Sequence, residues 1–234
     1  MKKIKLLLSG IAVVVVSALQ AQTVDEIIAK HVEAIGGKEK MGQVKSLYAE
    51  ISMEVMGNQA PVIEQRLEGK GFKSETDFNG SKIIQCITDK GGWSVNPMAG
   101  ATEPQAMPEE IYKASKDQIY LGGALVDYAA KGNKVELLGK EENNYRLKVV
   151  NGTTETTYFI DGNNWYINKT TSKGEMMGQP VEVVVTLSDY KKTDFGIVLP
   201  YARTIDLGGF AMSAKVNKVE FNKEIDPKIF DLPK

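Results

Sequence analysis

The residues of this chain that could do chemistry are few and far apart. His31 is the only histidine and Cys86 the only cysteine. A lone histidine cannot build a metal site, because a structural zinc ion takes four protein ligands. The sequence contains no GxSxG, Walker or HExxH motif. We therefore predict no catalytic residue, no metal site and no cofactor.

Several motifs that resemble catalytic ones have structural interpretations. Asp194-Phe195-Gly196 matches a kinase tripeptide, but no other kinase element accompanies it. Gly196 is better explained as the residue of positive φ in a tight turn. His31 lies on the apolar side of a predicted helix, which favours packing or capping. Cys86 lies between apolar residues of a predicted strand, as a buried small hydrophobe would.

The N-terminus has the pattern of a secretory leader. Lys2, Lys3 and Lys5 precede the apolar run 6–18, and Ala21 is a small residue at a plausible cleavage site. A membrane anchor is the alternative, but it needs about 20 apolar residues. A lipidated protein would carry cysteine as its first mature residue, and Cys86 is far downstream. We predict a cleaved signal peptide, residues 1–21, and a periplasmic protein without a lipid anchor.

The mature chain, residues 22–234, is of single-domain size. Without the three leader lysines, 26 basic residues remain against 30 acidic ones, a net charge of −4. No basic cluster occurs, which argues against nucleic acid as a partner. We find no linker and no internal repeat, so one domain is expected.

Two helices are predicted. Thr23 and Glu26 form a capping box for the first, whose apolar residues recur at helical spacing until Gly36-Gly37. The second begins with Pro108 as its first residue and is interrupted at Gly122-Gly123. Glu109 and Glu110 suit the positive end of its dipole.

The remainder of the chain predicts strands joined by short turns. Such neighbours must pair antiparallel, and one sheet of so many strands must twist and curl. We predict an α+β fold of about 10–11 strands, curved around the helices. Residues 62–77 are expected to form one strand, and residues 96–107 an exposed apolar loop or a linker. The other strands are expected near 47–55, 82–88, 92–96, 135–140, 144–150, 154–160, 164–171, 180–191, 196–207 and 210–221.

Strand alternation also suggests a binding surface. Eight apolar side chains fall on one face of an early or a late strand, and methionine suits a surface that accepts variable apolar guests. We predict that they line an apolar cavity, although they could equally be core beneath the helices. They are Leu47, Ile51, Met53, Val55, Val181, Val183, Val185 and Leu187.

Several motifs together resemble the LolA/LolB outer-membrane lipoprotein-sorting superfamily, in the variant found among Bacteroidetes-like bacteria. The matching segments cover almost all of the mature chain in the same order. They are the helix-one entry at 31–50, the hairpin containing Trp93 and Pro97, the turn at Asp161, Ser188-Asp189-Tyr190, Gly196 to Pro200, Asn222, and the tail with Asp226, Phe230 and Pro233.

This resemblance implies an unclosed antiparallel β-barrel wrapped around helices, with an apolar cavity between them. It implies lipoprotein acyl chains or free lipid as ligands and envelope membrane proteins as further partners. An acyl chain needs an apolar trough, because each exposed CH₂ costs about 0.8 kcal/mol. Three functions stay open: a carrier of acyl chains, a sensor or interaction module of the RseB type, and an enzyme of unknown chemistry.

The sequence departs from the family pattern in two places. The best-known carriers have an arginine early in the sheet that hydrogen-bonds their lid helices. By our pairing that position falls at Gly71 or Lys73, and Arg66 is out of register. The lid latch is therefore not carried over. Membrane-anchored LolB-type members also need a lipidated N-terminal cysteine, which is absent here.

Overall fold

A single antiparallel sheet dominates the fold. The computed structural model describes residues 22–176 and 179–233, so the predicted signal peptide lies outside the described residues. Within them the sheet has thirteen strands. These are β1 Ser46–Val55, β2 Asn58–Leu67, β3 Gly71–Phe78, β4 Ser81–Thr88, β5 Gly92–Asn96, β6 Ala101–Ala106, β7 Lys134–Glu141, β8 Asn144–Asn151, β9 Thr154–Asp161, β10 Ile167–Met176, β11 Gln179–Lys192, β12 Val198–Leu207 and β13 Ala211–Phe221.

The sheet is two meanders joined at their first and last strands. Its order is β6-β5-β4-β3-β2-β1-β13-β12-β11-β10-β9-β8-β7, and every neighbouring pair is antiparallel. Pairing of β1 with β13 brings the two halves of the chain together. In the described part of the chain β6 and β7 do not pair, so the sheet stays open. The predicted α+β class and unclosed barrel are confirmed.

The thirteen strands exceed the predicted 10–11 by two or three. Residues 62–77, predicted as one strand, form the hairpin of β2 and β3, with a turn at Glu68–Lys70 and Gly69 at φ +68°. The segment predicted as a loop or linker contains the edge strand β6. Its sequence, ATEPQA, lacks the apolar alternation that identifies a half-buried strand.

The helices lie on the concave side of the sheet. The first, α1 Val24–Ala34, begins with the predicted capping box of Thr23 and Glu26. A five-residue helix, α2 Lys38–Gly42, follows and was not predicted. The third, α3 Glu109–Ser115, has Pro108 as its N-cap rather than its first helical residue. A 3₁₀ turn, Lys116–Ile119, follows it directly, so the regular helix ends well before Gly122.

The turn between β11 and β12 holds the end of α1. Gly196 has φ +88°, as predicted, and its amide donates to the Thr193 carbonyl at 2.8 Å. Gly36, after α1, lies so close to it that a Cβ would be 3.0 Å from the Gly196 oxygen. Val198 also donates to the Ile35 carbonyl at 2.9 Å. The Asp-Phe-Gly tripeptide is therefore a structural turn that fixes the first helix.

Pro200 lies near the start of β12, where the hydrogen bond that a proline cannot donate is not required. It pairs with Tyr190 of β11, but pairing of β12 with β13 begins only at Ala202. Proline is tolerated near the start of a strand, where one side of the ladder is unpaired. The proline is thus compatible with an interior strand of the sheet.

We expect Gly196→Val to lower the free energy of unfolding by about 1–3 kcal/mol, because a β-branched residue at positive φ is strained. Its side chain would also displace the Lys40 ammonium. Denaturant unfolding measures the change. Gly42→Ala, where a Cβ would meet nothing within 4 Å, is the control. Equal stability of the two variants would contradict this role for the turn.

Candidate functional site

One chain segment, residues 109–133, covers part of the concave face of the sheet, and we call it the cover. It consists of α3, the 3₁₀ turn and an irregular stretch to Asn133. Its apolar side chains reach three parts of the sheet. Ile119 packs with Phe72 and Ile87, Leu121 lies against the cluster on β1 and β13, and Leu125 packs with α1 and β8. The cover therefore spans both halves of the sheet.

Polar contacts attach the cover to β2 and the turn that follows it. Arg66 donates from Nε to the Gln118 carbonyl at 2.7 Å. Glu68 accepts from the Leu121 amide at 2.9 Å, and Gly69 donates its amide to the Ile119 carbonyl at 3.0 Å. Burial lowers the pKa of Arg66 and raises that of Glu68. The guanidinium nevertheless stays charged, because its ordinary pKa exceeds 12.

On the other half of the sheet the cover is held by one buried carboxylate. Asp117, in the 3₁₀ turn, is 6 % exposed. Its Oδ2 accepts from the Asn133 amide at 2.7 Å and from the Asn151 amide of β8 at 3.1 Å. Asp117 thereby joins the two ends of the irregular stretch to the sheet.

An arginine holds the cover, although it is Arg66 and not the residue at the position expected from the register, Gly71 or Lys73. A side chain at Gly71 would collide with the Phe230 ring, since even a Cβ would lie 2.6 Å from it. Lys73 instead makes an ion pair with Glu75 at 3.6 Å. Arg66, on the strand before, makes the hydrogen bond to the cover.

An apolar cavity of about 200 Å³ lies between the sheet and Leu121. Its floor is the middle of the sheet, where β1, β13 and β12 present small and aliphatic side chains. Ala49 and Ala214 are 4 % and 6 % exposed, and their size leaves room above the floor. The other apolar lining residues are Leu47, Ile51, Leu187, Leu199, Pro200, Ala202, Val216 and Val219.

The structure brings together only part of the predicted apolar set. Leu47, Ile51 and Leu187 line the cavity. Met53 packs against the same cluster of side chains. Val55 is half-buried at the far end of β1, where it pairs with Met212.

The three valines of β11 lie beyond the cavity. Val181, Val183 and Val185 are half-buried and alternate with exposed residues or with Val184, on the same face as Leu187. Val181 lines a separate groove beside β9 and β10. The cavity therefore occupies one end of the face that alternation identified.

Three charged residues in the cavity were missed by the sequence analysis. Glu64 and Arg66 of β2 and Arg203 of β12 all line it. Arg203 donates from Nη2 to Glu64 Oε1 at 2.8 Å, across the floor strands β1 and β13. The sequence did contain a signal for two of these charges, because Glu64 and Arg66 alternate in phase with Ala60 and Val62 on the inward face of β2. Charges on the buried face of a strand mark such a position.

A cleft of about 320 Å³, with a more polar lining than the cavity, adjoins it, and Arg66 and Leu121 line both. Its other walls include Asp117, Asn151 and Tyr158. Burial raises the pKa of Tyr158 to about 12, so its hydroxyl stays protonated at neutral pH. The space beneath the cover thus has an apolar part and a polar part that meet at Arg66.

His31 and Cys86, the two residues first considered for chemistry, line neither the cavity nor the cleft. His31 is 5 % exposed, its Nδ1 is 2.8 Å from the Trp165 carbonyl, and burial lowers its pKa. Cys86 is fully buried, and burial raises the pKa of its thiol to about 12. In residues 22–176 and 179–233 no group of three or more His, Cys, Asp or Glu side chains could hold a metal ion. None of the helices described there is long and apolar enough to cross a membrane.

Solved structures with the same fold come from the LolA superfamily. A LolA superfamily protein from Nitrosomonas europaea aligns with a TM-score of 0.59 and 10 % identity, over 90 % of this chain and 98 % of its own. A domain described as an outer membrane lipoprotein-sorting protein, from Vibrio parahaemolyticus, has a TM-score of 0.59 and 12 % identity, over 89 % and 97 %. The chain therefore has the LolA-like fold.

A third solved structure aligns equally well. A DUF1329 family protein from Desulfovibrio piger has a TM-score of 0.59 and 14 % identity, over 89 % of this chain and 97 % of its own. No protein-family model matches the sequence, and neither does any curated protein. The likeness is therefore one of fold.

Proposed function

We propose that this protein binds and carries the acyl chains of lipids or lipoproteins in the periplasm. The observation that carries the proposal is the apolar cavity under the cover, lined by Leu47, Ile51 and Leu187 on the sheet and by Leu121 above. Outer-membrane lipoprotein sorting is the process in which such a carrier would act, and the Vibrio parahaemolyticus domain of the same fold is described as a lipoprotein-sorting protein.

Entry of a chain requires the cover to move. The cavity of about 200 Å³ is smaller than the roughly 300–1,000 Å³ of small-molecule pockets. Leu121 occupies the space above the floor and, with a backbone amide held by Glu68, can leave only as part of the cover. Displacing it would expose the aliphatic floor, where each buried CH₂ of a ligand contributes about 0.8 kcal/mol.

A polar side chain in the cavity should impair binding. We expect Leu187→Gln to weaken the binding of a fluorescent fatty acid about tenfold, because a buried amide without a partner costs about 1–3 kcal/mol. Titration of the probe against purified protein measures the change. The thermal unfolding midpoint establishes that the variant is folded.

Val183→Gln is the matched control for that variant. Val183 lies on the same face of the same strand but outside the cavity. Its substitution is expected to leave the affinity within about twofold, since a half-buried site away from the ligand contributes little. Equal weakening by both variants would count against the cavity as the binding site.

The proposed location follows from the N-terminal pattern. We propose that the leader, residues 1–21, is removed on export and that the mature protein begins at Gln22. N-terminal sequencing of the exported protein should therefore read Gln-Thr-Val. An intact Met1 in the membrane fraction would contradict export with cleavage.

A second candidate function is a sensor or interaction module built on the same sheet. One observation favours it, which is that Leu121 and its neighbours already fill much of the space above the floor. Such a module would not need to admit a ligand. Mass spectrometry of lipids that co-purify from the native envelope separates the two candidates, because only the carrier retains acyl lipid.

A further inference from the structure

The charged side chains that line the apolar cavity do not balance one another in charge. Glu64 and Arg203 make one ion pair, with side chains 15 % and 32 % exposed. Arg66 makes no ion pair within 4 Å among the described residues. The three residues at the cavity wall therefore carry a formal charge of +1. Burial lowers the pKa of Arg66, while the nearby carboxylates of Glu64 and Glu68 raise it.

Hydrogen-bond donors in this set are also left over. A guanidinium has five N–H groups, and in the described chain Arg66 uses only Nε, toward Gln118. The residue lines both the cavity and the cleft. The Nε of Arg203 is buried and has no hydrogen-bond partner among the residues that the structure describes. Buried donors without partners are rare in native proteins, which indicates that something else accepts from them.

The positions of Arg66 and Arg203 indicate which kind of ligand group would fit between them. Arg66 pairs with Leu47 and Arg203 pairs with Leu187, so both arginines are register partners of apolar lining residues of the floor. The Arg66 guanidinium carbon lies 5.2 Å from the centre of the Phe72 ring. A ligand with its chain over Ala49 and Ala214 would bring its head between the two arginines. A carboxylate accepts two parallel N–H bonds from a guanidinium. It would also neutralise the excess positive charge.

We propose that the cavity selects amphiphiles with an acidic head, with a long-chain fatty acid carboxylate held by Arg66 and Arg203. This inference rests on the proposed function, because it assumes that an acyl chain enters the cavity. It goes beyond that function by assigning the charge of the ligand's head. An uncharged ester of the same chain loses the contact with both guanidinium groups.

The test compares a fluorescent polyene fatty acid with its methyl ester at pH 8, where a carboxylic acid in water is ionised. We expect the wild-type protein to bind the acid at least about tenfold more tightly, since hydrogen bonds to charged groups are the stronger kind. Arg66→Met should reduce this preference to about twofold or less while the ester affinity changes little. Acetate should not displace the acid, because the anion without a chain buries no apolar surface.

Two further variants separate charge from structural damage. Glu64→Gln keeps the size of the side chain, removes the competing carboxylate and raises the charge of the set. This variant should tighten binding of the acid by about three- to tenfold and leave the affinity for the ester unchanged. A damaged fold cannot produce such a gain in affinity. Arg146→Met removes an arginine that lines neither space and pairs with Glu141 at 3.2 Å. It should alter neither affinity.

The outcomes test the acidic head group separately from the carrier function on which it rests. If neither the acid nor the ester binds, the carrier proposal fails and this inference fails with it. If both bind equally to the wild-type protein, the carrier stands and the acidic head is refuted. If Arg66→Met weakens binding of the acid and the ester equally, Arg66 acts only by holding the cover. If acetate displaces the acid, the site is one for small free anions instead.

Discussion

Phe230→Ala is expected to lower the free energy of unfolding by about 3–5 kcal/mol, as for other buried aromatic residues. Phe230 lies in the 3₁₀ turn Pro227–Phe230 and is 4 % exposed. Its ring lies directly over the Cα of Gly71, where no side chain could fit. Its carbonyl accepts from Trp93 Nε1 at 2.9 Å and lies 3.4 Å from the Cys86 sulfur. The C-terminal tail therefore seals one end of the sheet.

Denaturant unfolding measures this loss, and Cys86 supplies a second readout. The thiol is fully buried and is the only one in the chain, and burial raises its pKa to about 12, so it should react slowly with thiol reagents in the native protein. Phe230→Ala should expose it and raise the labelling rate. Leu232→Ala, at a side chain 51 % exposed, is the control. Unchanged labelling in Phe230→Ala would contradict the sealing role.

The tail illustrates what the sequence made predictable. Asp226, Phe230 and Pro233 were recognised as a family-like pattern. The structure gives the reason for two of them, because Asp226 caps the turn by accepting from the Lys228 amide at 3.0 Å and Phe230 fills the space above Gly71. Local rules of turns and alternation thus fixed most strands, the capping box of α1 and the turn at Gly196. These features depend on residues close together in the chain.

Features that depend on distant residues were predicted less well. β6 is a strand because β5 offers it an edge, and its own residues do not alternate. The cover has little regular structure after Ile119, since its path is fixed by contacts of Leu121 with β1 and β13 and of Leu125 and Asp117 with β8. Periodicity cannot indicate such a path.

The candidate site was predicted in part for the same reason. Alternation correctly assigned Leu187 and Val183 to one face of β11, but it cannot say where along that face the cover ends. Glu64 and Arg203 were not predicted, because an apolar cavity was expected, and Arg66 was considered only as a lid latch. Glu64 and Arg203 come within 2.8 Å only because β1 and β13 pair and carry Ala49 and Ala214 between them. That geometry depends on a contact between residues 139 positions apart.

Asp117→Ala is expected to lower the free energy of unfolding by about 2–4 kcal/mol and to loosen the cover. The substitution leaves the Asn151 amide without its acceptor, while that of Asn133 keeps only the Ala124 carbonyl at 3.1 Å. Each buried donor that loses its partner costs about 1–3 kcal/mol. Asp117→Asn keeps one oxygen as acceptor and should lose roughly half as much.

The same variant tests whether the cover controls entry to the cavity. Arg66 and Glu68 would still hold the other side of the cover, so it should open more often without detaching. Faster amide hydrogen exchange, confined to residues 116–133 and their contacts on β8, should report that opening. If a chain enters only when the cover opens, Asp117→Ala should also bind a fluorescent fatty acid with a faster association rate. Faster exchange without faster association would mean that ligands reach the cavity by a route that the cover does not control.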